Sequence, residues 1–328
     1  MIDRIDFVIH NLYYLDIKRL AELGIGYAVF SYKDYLHGWK RGPRFNYKNI
    51  EFKFKPTLGR FEIVTNTHKV LGKRDTSLSD KKEYITKVNE AVNDIFGKLN
   101  VVLVLDYIEF YVDVYVGAAI PAYIKMLKGH KSAYRYIKKV KDYETSHRLG
   151  TRYSQYSFIF YDRFAKTGEE EDRGVLRLEV QVKKRKLKKE MQGKKEKKSR
   201  LRLHRVNRKI ESYWKKDRME ELFFDFLKGY LYEGDYYDKK KINQVINNSN
   251  MSDNWKKKLK SFTLMIQRYG LNGVVKRKKC CADTVNTYIQ ILQELGINPM
   301  PIPKGSNYKH LENLLPMARR VAEEKYFK

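Results

Sequence analysis

The amino-acid sequence predicts an α+β fold, in which an antiparallel-leaning sheet carries helices on one face and precedes a helical C-terminal region. Up to residue 183, stretches rich in β-branched and aromatic residues alternate with stretches of helical periodicity, whereas residues after 209 have helical periodicity alone. Hydrophobic residues make up 42% of the 328 residues, which is enough for a packed core and excludes global disorder.

The N-terminal third is predicted to begin with a strand, a helix and a second strand, followed by a hairpin and a longer helix. The hairpin is indicated by strict alternation in IEFKFK and RFEIVT, with Pro56 and Gly59 between them. The predicted elements are strands at 2–9 and 27–32, a helix at 15–23, hairpin strands at 50–55 and 60–65, and a helix that Ser79 or Asp80 caps and that ends at Phe96.

The middle of the chain is predicted to hold three more strands. They lie at 101–116, 156–163 and 174–183, and a short helix opens at Pro121. After these strands we expect helices at 209–231, 253–268, 283–295 and 307–325.

Composition changes at Lys183 and suggests where the chain divides. Fifteen of the 27 residues from Lys183 to Lys209 are Lys or Arg, and spaced apolar residues among them favour a basic helix over a free tail. We therefore expect three regions, namely residues 1–190, a basic helical connector at 191–250 and a helical domain at 251–328.

The overall charge points to a polyanionic partner. Lys and Arg total 68 against 39 Asp and Glu, a net charge of +29, which favours either nucleic acid or an anionic membrane surface. No stretch approaches the roughly 20 apolar residues of a membrane-spanning helix, and the first twenty positions are too rich in charge for a signal peptide. We therefore expect a cytoplasmic protein that binds nucleic acid and not a membrane.

Two predicted strands carry carboxylates on their polar faces. Because side chains alternate along a strand, Glu109 and Asp113 share a face opposite an apolar one, and Glu179 lies likewise on the polar face of its strand. If these strands are neighbours, the three carboxylates and Tyr161 meet on one sheet surface, where a hard cation such as Mg²⁺ or Mn²⁺ would neutralise them. The open alternative is an ordinary solvated sheet face with salt bridges to Arg177 and Lys183.

Five segments carry a resemblance that bears on this choice. They are MIDRIDFVI at 1–9, FEIVTNTHKVLG at 61–72, LDYIEFYVDV at 105–114, YETSHRLGTRYSQYSFIFYDR at 143–163 and VLRLEVQVKKRKLK at 175–188. In order and spacing these segments resemble the replication initiators of filamentous bacteriophages, and more loosely the replication initiation factors of rolling-circle plasmids. The resemblance covers about residues 1–190 and implies a Rep-nuclease-like catalytic domain there.

The resemblance implies a site-specific endonuclease that nicks one DNA strand and stays joined to the 5′ phosphate through a tyrosine. Tyr161 matches the nucleophile, and Glu109 and Asp113 match acidic residues, although the phage proteins lack the second. Arg177 and Glu179 match the family's Arg-x-Glu. Glu62 matches a family glutamate, and we expect Arg163 and Lys183 to support the site. The sequence departs from the family at Tyr107, which replaces an arginine, and at Arg163, where the plasmid proteins usually have a lysine.

Many rolling-circle initiators bind their metal ion through two histidines separated by one hydrophobic residue, and this sequence has no such pair. The implied cofactor, Mg²⁺ or Mn²⁺, would therefore be held by the carboxylates of Glu109, Asp113 and Glu179. The implied partner is the replication origin of a phage, plasmid or integrated element, single-stranded or supercoiled, in a prokaryotic cell. A host helicase and polymerase are further expected partners. The alternatives are a non-catalytic nucleic-acid-binding protein and a packaging protein.

Two sets of residues are expected to contact DNA outside the nicking site. The first supplies phosphate contacts and consists of Lys184, Arg185, Lys186, Lys188 and Lys189. The second lies on the helix predicted at 283–295, where Asn286, Thr287 and Gln290 face away from an apolar stripe and can bind base edges. This part of the chain is predicted to be either a helix-turn-helix-like DNA module or an ordinary helical bundle.

Overall fold

Nine strands form the main sheet of the protein. They are β1 (Ile2–His10), β2 (Arg44–Tyr47), β3 (Ile50–Lys55), β4 (Arg60–Asn66), β5 (Val104–Tyr115), β6 (Asp142–Tyr143), β7 (Ser146–Leu149), β8 (Tyr156–Asp162) and β9 (Val175–Lys183). Their order in the sheet is β2-β3-β4-β1-β5-β9-β8-β7-β6. β1 pairs antiparallel with β4 and with β5, and the predicted hairpin of β3 and β4 is confirmed. The expected α+β class is likewise confirmed.

The computed structural model describes most of the chain. The described residues are 1–10, 44–55, 60–97, 101–129, 142–143, 145–149, 155–192, 194–195, 202–203, 208–276 and 281–328. The helix predicted at 15–23 and the strand predicted at 27–32 lie outside these residues.

The chain divides into two compact units. The first unit contains residues 1–111, 180–219 and 324–328, and the second contains residues 112–179 and 220–323. The first two of the four divisions, after residues 111 and 179, fall inside the strands β5 and β9. Since the units are interleaved along the chain, the three regions predicted from composition stay a functional prediction.

The core of the first unit forms where apolar positions of β1, β3 and β4 meet a helix. Helix α1 (Thr67–Leu71) follows β4 directly, and α2 (Lys81–Phe96) then buries the stripe that contains Val88, Val92 and Phe96. The Phe96 ring packs edge-on against Phe61, with centroids 5.3 Å apart. Asp80 occupies the predicted cap position, but its carboxylate accepts a hydrogen bond from the Ser77 amide instead of from the helix.

Helices make up most of the second unit. They are α3 (Ile120–Gly129), α4 (Arg163–Thr167), α7 (Asp225–Leu231), α8 (Lys239–Asn248), α9 (Asp253–Lys276), α10 (Ala282–Glu294) and α11 (Leu314–Val321), while α5 (Lys184–Gln192) and α6 (Lys216–Met219) belong to the first unit. Short strands β10 (Lys194–Lys195) and β11 (Arg202–Leu203) pair with each other, as do β12 (Tyr236–Tyr237) and β13 (His310–Leu311).

The helices expected at 307–325 and 209–231 differ from the observed ones. The helix expected from residue 307 begins at Leu314, because Asn313 provides the cap by accepting a hydrogen bond from the Leu315 amide. The stretch expected as one helix at 209–231 is instead a 3₁₀ turn followed by α6, a π-helical turn and α7. No helix in the described residues is both long enough and apolar enough to cross a bilayer.

Candidate active site

Tyr161 lies near the end of β8, where the strand leads directly into a one-turn helix. Phe158 and Phe160 are buried, as their alternation predicts. Tyr161 is also largely buried, with 6% of the residue exposed, and its hydroxyl group lies 3.5 Å from Oε2 of Glu179. The strand therefore presents a phenol to a carboxylate within the second unit.

A lysine from the following helix contacts the same hydroxyl group. Asp162 caps α4 by accepting a hydrogen bond from the Ala165 amide, so the chain turns back immediately after β8. This turn places Nζ of Lys166 at 2.9 Å from the Tyr161 hydroxyl oxygen and 4.4 Å from the ring centroid. The phenol oxygen thus lies between an ammonium donor and a carboxylate acceptor.

Asp113 is bound by two arginines. Arg177 donates from Nε and from Nη2 to the two carboxylate oxygens, at 2.6 and 2.7 Å, and Arg163 also donates to this carboxylate. Such a bidentate arrangement neutralises the carboxylate and holds it in one orientation. The metal role expected for Asp113 stays a prediction, and in this structure its oxygens serve the two guanidinium groups.

Asp172 holds the helical turn that follows Tyr161. It is 1% exposed, its Oδ1 lies 2.9 Å from Nε of Arg163, and its Oδ2 accepts a hydrogen bond from the Thr167 hydroxyl at 2.7 Å. Both partners belong to α4. The helix that carries Lys166 is therefore held at its first and last residues by a single buried carboxylate.

The polar face of β9 is buried. Arg177 is 5% exposed and Glu179 is 3% exposed, and Gln181 on the same face is also buried. A solvated sheet face was the alternative open from the sequence, and this burial contradicts it, although the salt bridge expected for Arg177 is present. Buried charges require specific partners, so this face is built for more than solubility.

Glu109 is buried in the first unit and accepts two side-chain hydrogen bonds. Nε2 of Gln181 donates to its Oε2 at 2.9 Å, and the Tyr107 hydroxyl group donates to the same oxygen. Glu109 itself is 6% exposed.

On the neighbouring strand β1, Asp6 is paired with Arg4. Burial outweighs this pairing and raises the pKa of the Asp6 carboxyl group above its usual value.

A β-bulge in β1 places the carboxylate of Asp3 close to that of Glu109. Ile2 pairs with Phe110 and Arg4 pairs with Glu109, so Asp3 is the extra residue between them. Asp3 and Glu109 both belong to the first unit, and each offers a carboxylate oxygen within 4.8 Å of the other. Carboxylate oxygens so placed are the kind of ligand that a divalent metal ion prefers.

The remaining predicted residues of the nicking region are separate from these contacts. Glu62 forms ion pairs with Arg60 and Lys55 on the sheet surface. In α5, Lys184 pairs with Asp106 and Lys186 pairs with Glu190. Among the residues predicted to contact phosphates, the exposed ones are Arg185, Lys188 and Lys189. Lys183, at the end of β9, is half-buried.

The predicted base-reading residues are exposed on α10. Val285, Ile289 and Leu292 form the buried stripe of this helix, and Asn286, Thr287 and Gln290 are exposed. Two of the exposed side chains have partners within the helix, because Thr287 donates to the Asp283 carbonyl and Gln290 donates to the Glu294 carboxylate at 3.0 Å. The turn before α10 lies largely outside the described residues, so the helix-turn-helix expectation stays a prediction.

Comparison with known proteins gave a structural likeness. The chain is similar to a solved structure titled "Structure of Rolling Circle Replication Initiator Protein from Geobacillus stearothermophilus", with a TM-score of 0.32 and 15% sequence identity. The similarity covers 56% of this chain and 73% of that one. No protein-family model and no curated protein matches the sequence.

Four residues at the site were not predicted from the sequence, namely Asp3, Lys166, Asp172 and Gln181. Lys166 had a local signal, since an Asp cap directly after Tyr161 implies a helical turn that returns the chain toward the strand end. Asp3 had none, because a bulge is set by strand pairing and not by the alternation of residues.

Proposed function

We propose that this protein is a DNA-nicking enzyme that initiates rolling-circle replication through Tyr161. The observation that carries the proposal is the position of the Tyr161 hydroxyl group, 2.9 Å from the Lys166 ammonium group and 3.5 Å from the Glu179 carboxylate. An ammonium group beside a phenol oxygen stabilises negative charge on that oxygen, and a carboxylate can accept its proton. A tyrosine so placed is suited to act as a nucleophile.

The proposed reaction is a transesterification. The Tyr161 oxygen forms a bond with the scissile phosphorus, and the bond from phosphorus to the 3′ oxygen of the preceding nucleotide breaks. The phenol proton passes to Glu179, and the 3′ oxygen leaves and takes a proton from water to become a free 3′-hydroxyl group. Because the phosphotyrosine ester preserves the bond energy, the reverse reaction can rejoin a strand, and the released 3′-hydroxyl group can prime a polymerase.

A divalent metal ion fits the carboxylates of Asp3 and Glu109 in the first unit. Both are oxygen donors, which Mg²⁺ and Mn²⁺ prefer, and Glu109 is almost fully buried. A bound ion would supply charge neutralisation to the non-bridging oxygens of the phosphate. The protein's own contribution is to hold these carboxylates, through the Gln181 and Tyr107 hydrogen bonds to Glu109.

The arginines beside Tyr161 support the site by positioning. Arg163 and Arg177 hold Asp113 from two directions, so β5, β9 and α4 are tied together within the second unit. A nucleophile must be held to within a fraction of an ångström of its productive position. We infer that this ion cluster keeps the Tyr161 turn rigid while DNA binds.

Covalent capture tests the proposal. Wild-type protein is incubated with the element's circular single-stranded DNA and Mn²⁺, and a denaturing gel then resolves protein–DNA adducts. Tyr161→Phe should abolish nicking and the adduct while DNA affinity stays nearly unchanged, because only the hydroxyl group is lost. Tyr156→Phe, five residues earlier on the same strand, is the matched control and should still form the adduct.

Mapping of the DNA-linked peptide decides the assignment. Recovery of the peptide that contains Tyr161 supports the proposal, whereas attachment through Tyr156 or Tyr153 contradicts it. A protein that binds DNA but forms no adduct under any metal condition would instead favour the non-catalytic binding or packaging function, for which the charge of +29 is the supporting observation.

A further inference from the structure

A wide basic groove lies in the second unit, on residues that the nicking chemistry does not use. It has a volume of about 1150 Å³ and is lined by the strands β12 and β13, by the start of α8, by part of α9 and by the loop at 302–309. Six cationic side chains line it, namely Lys239, Lys240, Lys241, Arg268, Lys304 and Lys309.

The cations of this groove lack acidic partners. Asp238 is the one carboxylate among the lining residues, and its Oδ1 accepts the hydrogen bond from the Lys241 amide that caps α8. Within the part of the chain that the structure describes, none of the six cations forms an ion pair. Like charges gathered in a concave surface repel one another, and a polyanion in the groove would relieve that repulsion.

Backbone pairing holds the walls of the groove together. Tyr237 and His310 are opposite each other in the β12–β13 pair, and the Asp238 amide donates to the Lys309 carbonyl at 2.9 Å. The Ile302 amide donates to the Tyr237 carbonyl, also at 2.9 Å, which ties the loop to the same strand. The charged side chains therefore project from a connected framework.

A stacked aromatic pair is among the residues that line the groove. The rings of Tyr237 and His310 have centroids 4.9 Å apart and an interplanar angle of 21°. Nε2 of His310 lies 2.9 Å from Oδ2 of Asp235, which orients the ring, and the His310 side chain remains 52% exposed. One face of the imidazole thus packs on Tyr237 while much of the ring stays open to a ligand.

We propose that this groove binds single-stranded DNA, with phosphates on the lysines and a base stacked on His310. A basic channel with an exposed aromatic ring is the combination that binds single strands without sequence preference. Stacking requires an unpaired base, because both faces of a base inside a duplex are covered by its neighbours. The choice of DNA over RNA rests on the proposed nicking function, in which the groove holds the strand that nicking exposes.

The test measures reversible binding in the full-length Tyr161→Phe protein, so that no covalent step contributes. Fluorescence anisotropy is recorded with a labelled oligothymidylate of about 16 nucleotides and with a blunt duplex of equal length, over a range of NaCl concentrations. The groove variant is Lys239→Gln/Lys240→Gln/Lys309→Gln. The matched control is Lys256→Gln/Lys257→Gln/Lys258→Gln, which removes three lysines of α9 that do not line the groove.

The groove variant should weaken oligothymidylate binding about tenfold or more and lower the salt slope by about 2, since each phosphate contact to a single strand contributes about 0.7. His310→Ala should weaken oligothymidylate binding about fivefold without changing the slope and should leave duplex binding unchanged. Smaller losses in the lysine control support the assignment.

Equal losses in the groove and control variants would overturn the proposal, because they would indicate general surface electrostatics. So would an equal loss on duplex together with no effect of His310→Ala, which would make the groove a duplex site. Adduct formation by the wild-type protein is measured separately. A groove effect without any adduct rejects only the nicking function, and an adduct without a groove effect rejects only this assignment.

Discussion

The two charged regions of the second unit differ in how their charges are compensated. Beside Tyr161, Arg163 and Arg177 are both paired with Asp113, and Arg177 and Glu179 are buried. In the groove at 237–310 the cations lie in contact with solvent and have no acidic partner among the described residues. A charge removed from water must be paired, whereas an exposed cation can remain hydrated until an anion replaces that water.

This difference separates a region built for geometry from one built for binding. Paired, buried charges hold each other in fixed positions, which a reaction at a single oxygen atom requires. Unpaired, exposed cations attract a polyanion whatever its sequence, and the salt dependence of that binding increases with the number of phosphates contacted. Substitutions in the first region should therefore change rates, and substitutions in the second should change affinities.

The largest expected effect follows from loss of a carboxylate that the proposed chemistry uses. Glu179→Gln and Glu109→Gln each remove a negative charge at nearly constant shape, so we expect nicking to fall about 10²–10³-fold while the fold persists. Nicking rates are measured against Mn²⁺ concentration. Glu170→Gln, which affects an exposed carboxylate paired only with Arg173, should leave the rate unchanged. Full activity in EDTA would remove the metal from the reaction.

Loss of the ammonium group beside Tyr161 should have the next largest effect. Lys166→Met keeps the length of the side chain but removes its charge, and nicking should slow about a hundredfold with little change in DNA affinity. Lys166→Arg should restore part of the rate, because a cation is again available. Lys125→Met, at an exposed position of α3, serves as the control. A wild-type rate in Lys166→Met would mean that the contact is only structural.

Removing the anchor of the Tyr161 turn should reduce stability rather than binding. Asp172→Asn breaks the ion pair with Arg163 and weakens the Thr167 hydrogen bond, so the free energy of unfolding should fall by about 2–3 kcal/mol. Urea denaturation followed by circular dichroism measures this change. Glu170→Gln lies two residues away on the surface and should cost less than about 0.5 kcal/mol. Equal values for both variants would contradict the anchoring role.

The smallest expected effect concerns discrimination between DNA sequences. Substituting Asn286, Thr287 or Gln290 by Ala should cost about 1–3 kcal/mol on the cognate origin alone, because base-edge contacts carry specificity. Neutralising Lys188 and Lys189 should instead weaken binding to all DNA and lower the salt slope by about one per lost contact. Competition binding with cognate and scrambled duplexes separates these results. If all three α10 variants keep their preference for the cognate origin, α10 does not read the DNA sequence and serves only in packing.

Much of the sheet could be predicted because alternation is a local property of the chain. The strands expected at 156–163 and 174–183 are present as β8 and β9, and the buried positions of Phe158 and Phe160 follow from the two-residue period. The boundaries of the last helix could not be predicted as well. Its start depends on the Asn313 cap and on hydrogen bonds from Nδ2 of Asn313 to carbonyls about 80 residues earlier in the chain.

The sequence by itself determined the α+β class, the net charge and the two-faced strands, because these follow from composition and from local periodicity. The resemblance of its segments to replication initiators singled out Tyr161. Tertiary structure decided which charges meet. The polar face of β9 is buried and not solvated. A bulge in β1 places Asp3 close to Glu109. The carboxylate of Asp113 accepts hydrogen bonds from two arginines. These outcomes depend on strand register and on neighbours distant in the chain, which no local pattern specifies.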